Sequence, residues 1–104
     1  MDIEDMSIEK IWDGEKLLLK VTGRLDTTTA PRLEETLRSS LAGVNNLTFD
    51  FNSLEYISSA GLRVLLSAHK TMKHQGTMVV QGANEEVREV FTITGFADIL
   101  TVED

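Results

Sequence analysis

The 104-residue chain has no cysteine. That absence removes a disulfide framework, a thiolate nucleophile and any cysteine-based metal site. It also fits a reducing cytosol. Proline occurs once, as Pro31, and seven glycines are too few to suggest a disordered composition. No apolar run approaches the ~18 residues that a membrane span needs. The N-terminal stretch MDIEDMSIEK lacks the basic-then-apolar order of a secretory signal. Positive charge is scarce, with ten Lys and Arg against seventeen Asp and Glu and a net charge of −7. A field of that sign repels nucleic acid and anionic membrane surfaces. It keeps a protein soluble, or steers it to a basic partner. The expectation is a soluble, cytoplasmic chain that neither binds nucleic acid nor inserts into a membrane. Its length fits one domain over residues 1–104.

What is present alternates between two periodicities. SIEKIWD, with Ile8 and Trp12 among polar neighbours, is strand-like, and Asp13-Gly14 is a hairpin signal before the apolar KLLLKVTG. LDTTTAPRLEETLRSSLAGV reads as a helix. Thr28 or Thr29 can cap it, Pro31 fits its first turn, Leu33, Leu37 and Leu41 share a face, and Gly43 is placed to end it. NNLTFDFNSL carries Leu47, Phe49 and Phe51 at period two, the mark of a strand. From Leu62 the pattern Leu62, Leu65, Leu66, Ala68, Met72 predicts an amphipathic helix to about Gln75, stopped by Gly76. TMVVQG is a strand. NEEVREVFTITG is a helix capped by Asn84, with Glu85 and Glu86 in its first turn and an apolar face of Val87, Val90, Phe91 and Ile93. FADILTVE closes the chain as a short strand. The order β-β-α-β-α-β-α-β predicts an α/β fold in which an antiparallel pair leads into a mostly parallel, mixed sheet covered by helices.

The stretch EYISSAGLRVLL holds the junction between a strand and the second helix. A serine there can serve as an N-cap worth about 1 kcal/mol. One cap needs one serine, and both Ser58 and Ser59 are present, with Gly61 and Leu62 where a capping box would need Glu or Gln. Ala60 and Gly61 are small residues in the first turn, where Gly costs about 1 kcal/mol relative to Ala. Small residues leave the terminal amides open to an approaching molecule, and such amides attract anions.

A catalytic serine needs a base within hydrogen-bond reach. His69 and His74 lie downstream on the same helix, and ten residues of helix put Ser59 and His69 about 15 Å apart. No G-x-S-x-G elbow is present, so a serine hydrolase is disfavoured. The two histidines sit about 500° apart around the helix and share no face, so no metal site follows. Phosphate-binding glycine loops are missing, and Glu34-Glu35 and Glu85-Glu86 are adjacent pairs that splay outward as solvated faces. Neither a catalytic residue nor a cofactor is indicated.

The segment LTFDFNSLEYISSAGLRVLLSAHKTMKHQGTMVVQG resembles the centre of the bacterial anti-sigma factor antagonists of the STAS family. LKVTGRLDTTTAPRLEETL is similar to the family's G-x-L-D strand end and first helix, and VREVFTITGFADIL to its last helix and strand. The likeness runs from about Met6 to Val102. It implies a cytosolic switch that binds an anti-sigma factor serine kinase and thereby frees a sigma factor. Phosphorylation at the start of the second main helix ends the interaction, and a serine phosphatase resets it. The family pattern Asp-Ser-Ser-Gly puts the acceptor two residues before the glycine, which here is Ser59. Ser58 replaces the family aspartate and offers an alternative hydroxyl. Asp26 matches a family aspartate near the acceptor, and reads equally as a helix-capping or turn aspartate. Phosphate on Ser59 would add about −1.5 to −2 charge where the helix dipole favours it. Arg63, four residues on, could pair with it, contact the partner or stay solvated. The expected partner surface is Ser58, Ser59, Ala60, Gly61 and Arg63, flanked by Asp26, Thr27 and Thr28. The same family also implies another role, a STAS regulatory subunit of a transporter or sensory complex that is not phosphorylated.

Overall fold

The structure is a computed structural model that describes residues 6–103. β1 (Met6–Asp13) and β2 (Lys16–Leu25) form the expected antiparallel hairpin, with Asp13 opposite Lys16 across the turn. β2 then runs parallel to β3 (Asn46–Asp50), β3 to β5 (Thr77–Gln81), and β5 to the two-residue β6 (Val102–Glu103). The sheet order is β1-β2-β3-β5-β6, with β4 (Leu54–Ile57) paired to the end of β2. The helices are α1 (Ala30–Ser40), α2 (Ser59–Met72) and α3 (Glu85–Thr94). This is the mixed sheet with helices that the alternation of periods predicts. None of these helices is long and apolar enough to cross a membrane.

Strand register explains the core. Leu17, Leu47 and Met78 line up in one row across β2, β3 and β5, and Leu19, Phe49 and Val80 in the next, all buried. Alternate residues such as Lys16 and Lys20 face solvent because side chains flip at every step along a strand. The helices close this face with Leu33 and Leu37 from α1, Leu62, Leu65, Ala68 and Met72 from α2, and Val87 and Phe91 from α3.

The structure corrects the expected order at its centre. NNLTFDFNSL is not one strand. β3 ends at Asp50, whose carboxylate accepts the Asn52 backbone N–H at 2.9 Å and the Asn52 side-chain amide at 2.7 Å, and this turn redirects the chain. The next four residues form β4, which pairs in parallel with Gly23–Leu25, so the order becomes β-β-α-β-β-α-β-α-β. Only Leu54 and Ile57, at the two ends of β4, are buried, and four residues with that spacing carry no period-two signal.

Three smaller differences follow from local packing. α2 stops at Met72 rather than near Gln75, because the Gln75 amide turns back to donate to the Leu41 and Val44 carbonyls, each at 2.6 Å. Gly76 is required there by close approach, since a Cβ would run into the Asn45 carbonyl. Phe96–Asp98 is a 3-10 turn, which leaves β6 with two residues. Ile93 is 76% exposed rather than part of the α3 apolar face. It lies two residues after the buried Phe91, about 200° around the helix.

Candidate functional site at the β4–α2 junction

The junction is built by strand pairing. Leu25 lies beside Ile57, and its carbonyl accepts the Ser58 N–H at 2.9 Å. Ser58 is therefore held extended, with φ −101° and ψ 176°, as the N-cap residue of α2, and its own carbonyl accepts the Leu62 N–H at 3.0 Å. Its hydroxyl does not cap the helix. That oxygen is buried and has no hydrogen-bond partner among the described residues. Ser59, the first helical residue, is exposed.

Gly61 has a reason that the sequence does not display. It is buried, and a Cβ there would stand 2.8 Å from Leu25 Cγ and 2.9 Å from Ile57 Cγ1. Glycine lets α2 descend onto the ends of β2 and β4. It presents no surface of its own, which corrects the expectation that it lays the helix amides bare. Ala60 is half-buried, and Arg63 is exposed and forms no ion pair among the described residues. Thr27, Ala30, Pro31, Glu34, Ala60, Arg63 and Val64 line a cleft of about 220 Å³ between the starts of α1 and α2. Three expected site residues, Thr27, Ala60 and Arg63, are thus brought together although the chain separates them widely.

The flanking loop is locked by its own hydrogen bonds. One carboxylate oxygen of Asp26 accepts the Thr28 and Thr29 backbone N–H groups at 3.0 and 3.1 Å. Both amides precede α1, so this carboxylate holds the turn that leads into the helix. Thr28 is exposed, whereas Thr29 is 4% exposed. The Thr29 hydroxyl accepts the Asp26 N–H at 2.9 Å and donates to the Arg24 carbonyl at 2.8 Å. Thr29 is thus the N-cap residue by position, but its side chain bonds backward into the loop.

Two residues at this end escape a reading of the sequence. The Arg24 guanidinium lies 4.3 Å from the centre of the Tyr56 ring, and Arg24 Nε is 3.8 Å from the second carboxylate oxygen of Asp26. The only signal in the sequence is the Arg-Leu-Asp order after Gly23; the pairing with Tyr56 arises from β4. Elsewhere, no group of three or more His, Asp or Glu among the described residues is placed to hold a metal ion.

Known proteins share this fold. The family model described as the STAS domain matches residues 7–104. BtrV of Bordetella bronchiseptica is 37% identical over 99 residues, which cover 93% of this chain and 84% of that one. The anti-sigma-B factor antagonist of Listeria monocytogenes is 31% identical over 104 residues, covering 96% and 90%. Among solved structures, the phosphorylated form of SpoIIAA from Bacillus superposes with a TM-score of 0.73 at 15% identity, covering 92% of this chain and 90% of that one. At that identity the likeness speaks for the fold alone. With a family match that spans nearly the whole sequence, the chain belongs to the STAS domain family.

Proposed function

We propose that the protein is an anti-sigma factor antagonist whose docking on an anti-sigma factor serine kinase is gated by phosphorylation of Ser59. The observation that carries the reading is the contrast between adjacent hydroxyls. Ser59 stands exposed at the head of a 14-residue helix, whereas the Ser58 hydroxyl is buried. A kinase can reach the first without unfolding the junction. The names of the relatives, including the Listeria anti-sigma-B factor antagonist, support the partner class.

The gating follows from charge. The unmodified junction is a surface of small residues, Ser59 and Ala60 beside Thr27, that a partner can cover at low desolvation cost. A phosphate there is a hydrated dianion, and burying it against a partner without compensating donors is strongly unfavourable. The helix N-terminus tolerates the same charge, so the fold persists while docking ends. A serine phosphatase then restores the binding form.

The test is incubation with the purified serine-kinase anti-sigma factors of the source organism and ATP, followed by mass spectrometry. Modification is expected on Ser59, retained in Ser58→Ala and lost in Ser59→Ala. The phosphorylated protein is expected to release the kinase. Modification confined to Ser58, or equal affinity before and after phosphorylation, overturns the proposal.

A further inference from the structure

We propose that the seam between α1 and α2 takes one amphipathic helix of the anti-sigma kinase, laid along it with its end at Ser59. The inference rests on the function proposed above and adds which element of the partner docks. α1 and α2 run side by side in the same direction. Their starts share the 220 Å³ cleft, and just past their ends the Gln75 amide donates to the Leu41 and Val44 carbonyls. A second cleft of about 380 Å³ continues the first along the seam, and Glu34 and Val64 line both. Its floor is apolar and buried, with Leu37 and Leu41 from α1 and Val64 and Ala68 from α2.

The α2 edge of this trough begins at the phosphoacceptor. Ser59, Arg63, Ser67 and Thr71 recur every four residues, so they form one ridge along the helix, and all four are exposed. The last three line the clefts, and none of those three has a hydrogen-bond or ion-pair partner among the described residues. Hydroxyls on the other helices bond backward: Thr36 to the Arg32 carbonyl, Ser39 to that of Thr36, Thr92 to that of Arg88 and Thr94 to that of Val90. On the α1 edge, Glu34 and Arg38 hold each other at 3.8 Å. The α2 edge thus keeps its donors and acceptors unused beside an apolar floor.

A helix suits this shape. The 11 residues of α1 give the seam a length of about 16 Å, or three turns. The groove beside such a ridge accepts the side-chain ridge of another helix, and an apolar floor takes anchors at i, i+3 or i+4 and i+7. This sequence does not supply that helix itself. Residues 1–5 and 104, which lie outside the described ones, are fewer than three turns need. A second copy would have to offer α1, α2 or α3, whose apolar faces are turned to their own sheet. The occupant therefore belongs to the partner whose docking Ser59 gates. A phosphate on Ser59 stands at the head of the ridge, one turn from Arg63, where the end of the bound helix would have to desolvate it.

The experiment measures affinity of the unphosphorylated protein for the kinase that modifies Ser59. Ser67→Trp fills the trough two turns from Ser59 and is expected to weaken binding roughly 100-fold. Lys73→Trp adds the same bulk at the end of α2 but outside both clefts, and is expected to bind within twofold of the parent. Thermal unfolding confirms that both variants are folded. The chain has no cysteine, so Ser67→Cys and Thr71→Cys can each carry a single photo-cross-linker. The kinase residues captured from these two positions are expected three or four apart in one helical segment. Capture from an extended segment, equal weakening by the two tryptophans, or binding of Ser67→Trp within twofold of the parent overturns this inference and leaves the proposed function standing. A parent protein that binds no such kinase overturns both.

Discussion

α2 and α3 begin with nearly the same backbone and opposite chemistry. Each follows an extended N-cap residue, Ser58 with ψ 176° and Asn84 with ψ 174°. At α3 the vacant amides are answered from within the chain: Asn84 accepts the Val87 N–H at 2.8 Å, and Glu85 and Glu86 bring negative charge to the first turn. At α2 no side chain caps, no acidic residue lies in the first turn, and the one hydroxyl at the cap has no partner among the described residues. Two helix starts in the same chain thus show that a capped terminus was available to this sequence. α2 stands open where it meets the proposed partner surface, and an anion can be added there without displacing one already in place.

The largest test of the contrast concerns packing. The start of α2 is held against the strands by Gly61, with Leu25 and Ile57 at 0% and 2% exposure and no room beneath them. Gly61→Val is expected to lower stability by about 3 kcal/mol, the upper part of the usual range for overpacking a core. Urea denaturation measures it. A loss below about 1 kcal/mol would mean that the junction yields, and that its geometry is not what presents Ser59.

A second test compares the caps directly. Asn84→Ala removes a cap bond worth about 1 kcal/mol and also the 3.1 Å bond from the Asn84 amide to the Leu54 carbonyl, which ties α3 to β4. Destabilisation of about 1–2 kcal/mol is expected. Ser58→Ala removes a buried hydroxyl that has no partner, and is expected to change stability by less than about 0.5 kcal/mol, in the stabilising direction. Equal losses at the two positions would show that Ser58 caps α2 in solution, and the contrast would fail.

These same residues mark how much a sequence discloses. The hairpin, the three helices and the Asn84 cap were legible because each rests on local signals: a turn dipeptide, a repeat near 3.6, a cap followed by acids. β4 was not, since four residues with both ends buried have no period, and they become a strand only by pairing with Gly23–Leu25. Ser59 was legible as an exposed junction serine, but the burial of the Ser58 hydroxyl depends on neighbours brought by the fold. Gly61 was misread for the same reason. A glycine in a first helical turn suggests openness, and only the positions of Leu25 and Ile57 show that it answers crowding. Arg24 and Tyr56 have no sequence motif at all, because they meet only through a register shift that leaves Glu55 of β4 without a partner on β2.

The smallest expected effect bears most directly on the contrast. If α2 begins with an unanswered positive end, then Ser59→Asp adds a charge where none stands and should stabilise the fold by about 0.3–1 kcal/mol at low ionic strength, with the gain shrinking as salt rises. At α3 the corresponding charges are already in place, so Glu85→Gln with Glu86→Gln should cost a similar amount with the same salt dependence. Urea titrations at low and high salt compare the two. Opposite signs of similar size mean that the two termini differ in occupancy rather than in intrinsic field. A destabilising Ser59→Asp would mean that the junction already repels negative charge. In that event phosphorylation would act by loosening α2, and the argument that the scaffold holds while only the surface charge changes would have to be given up.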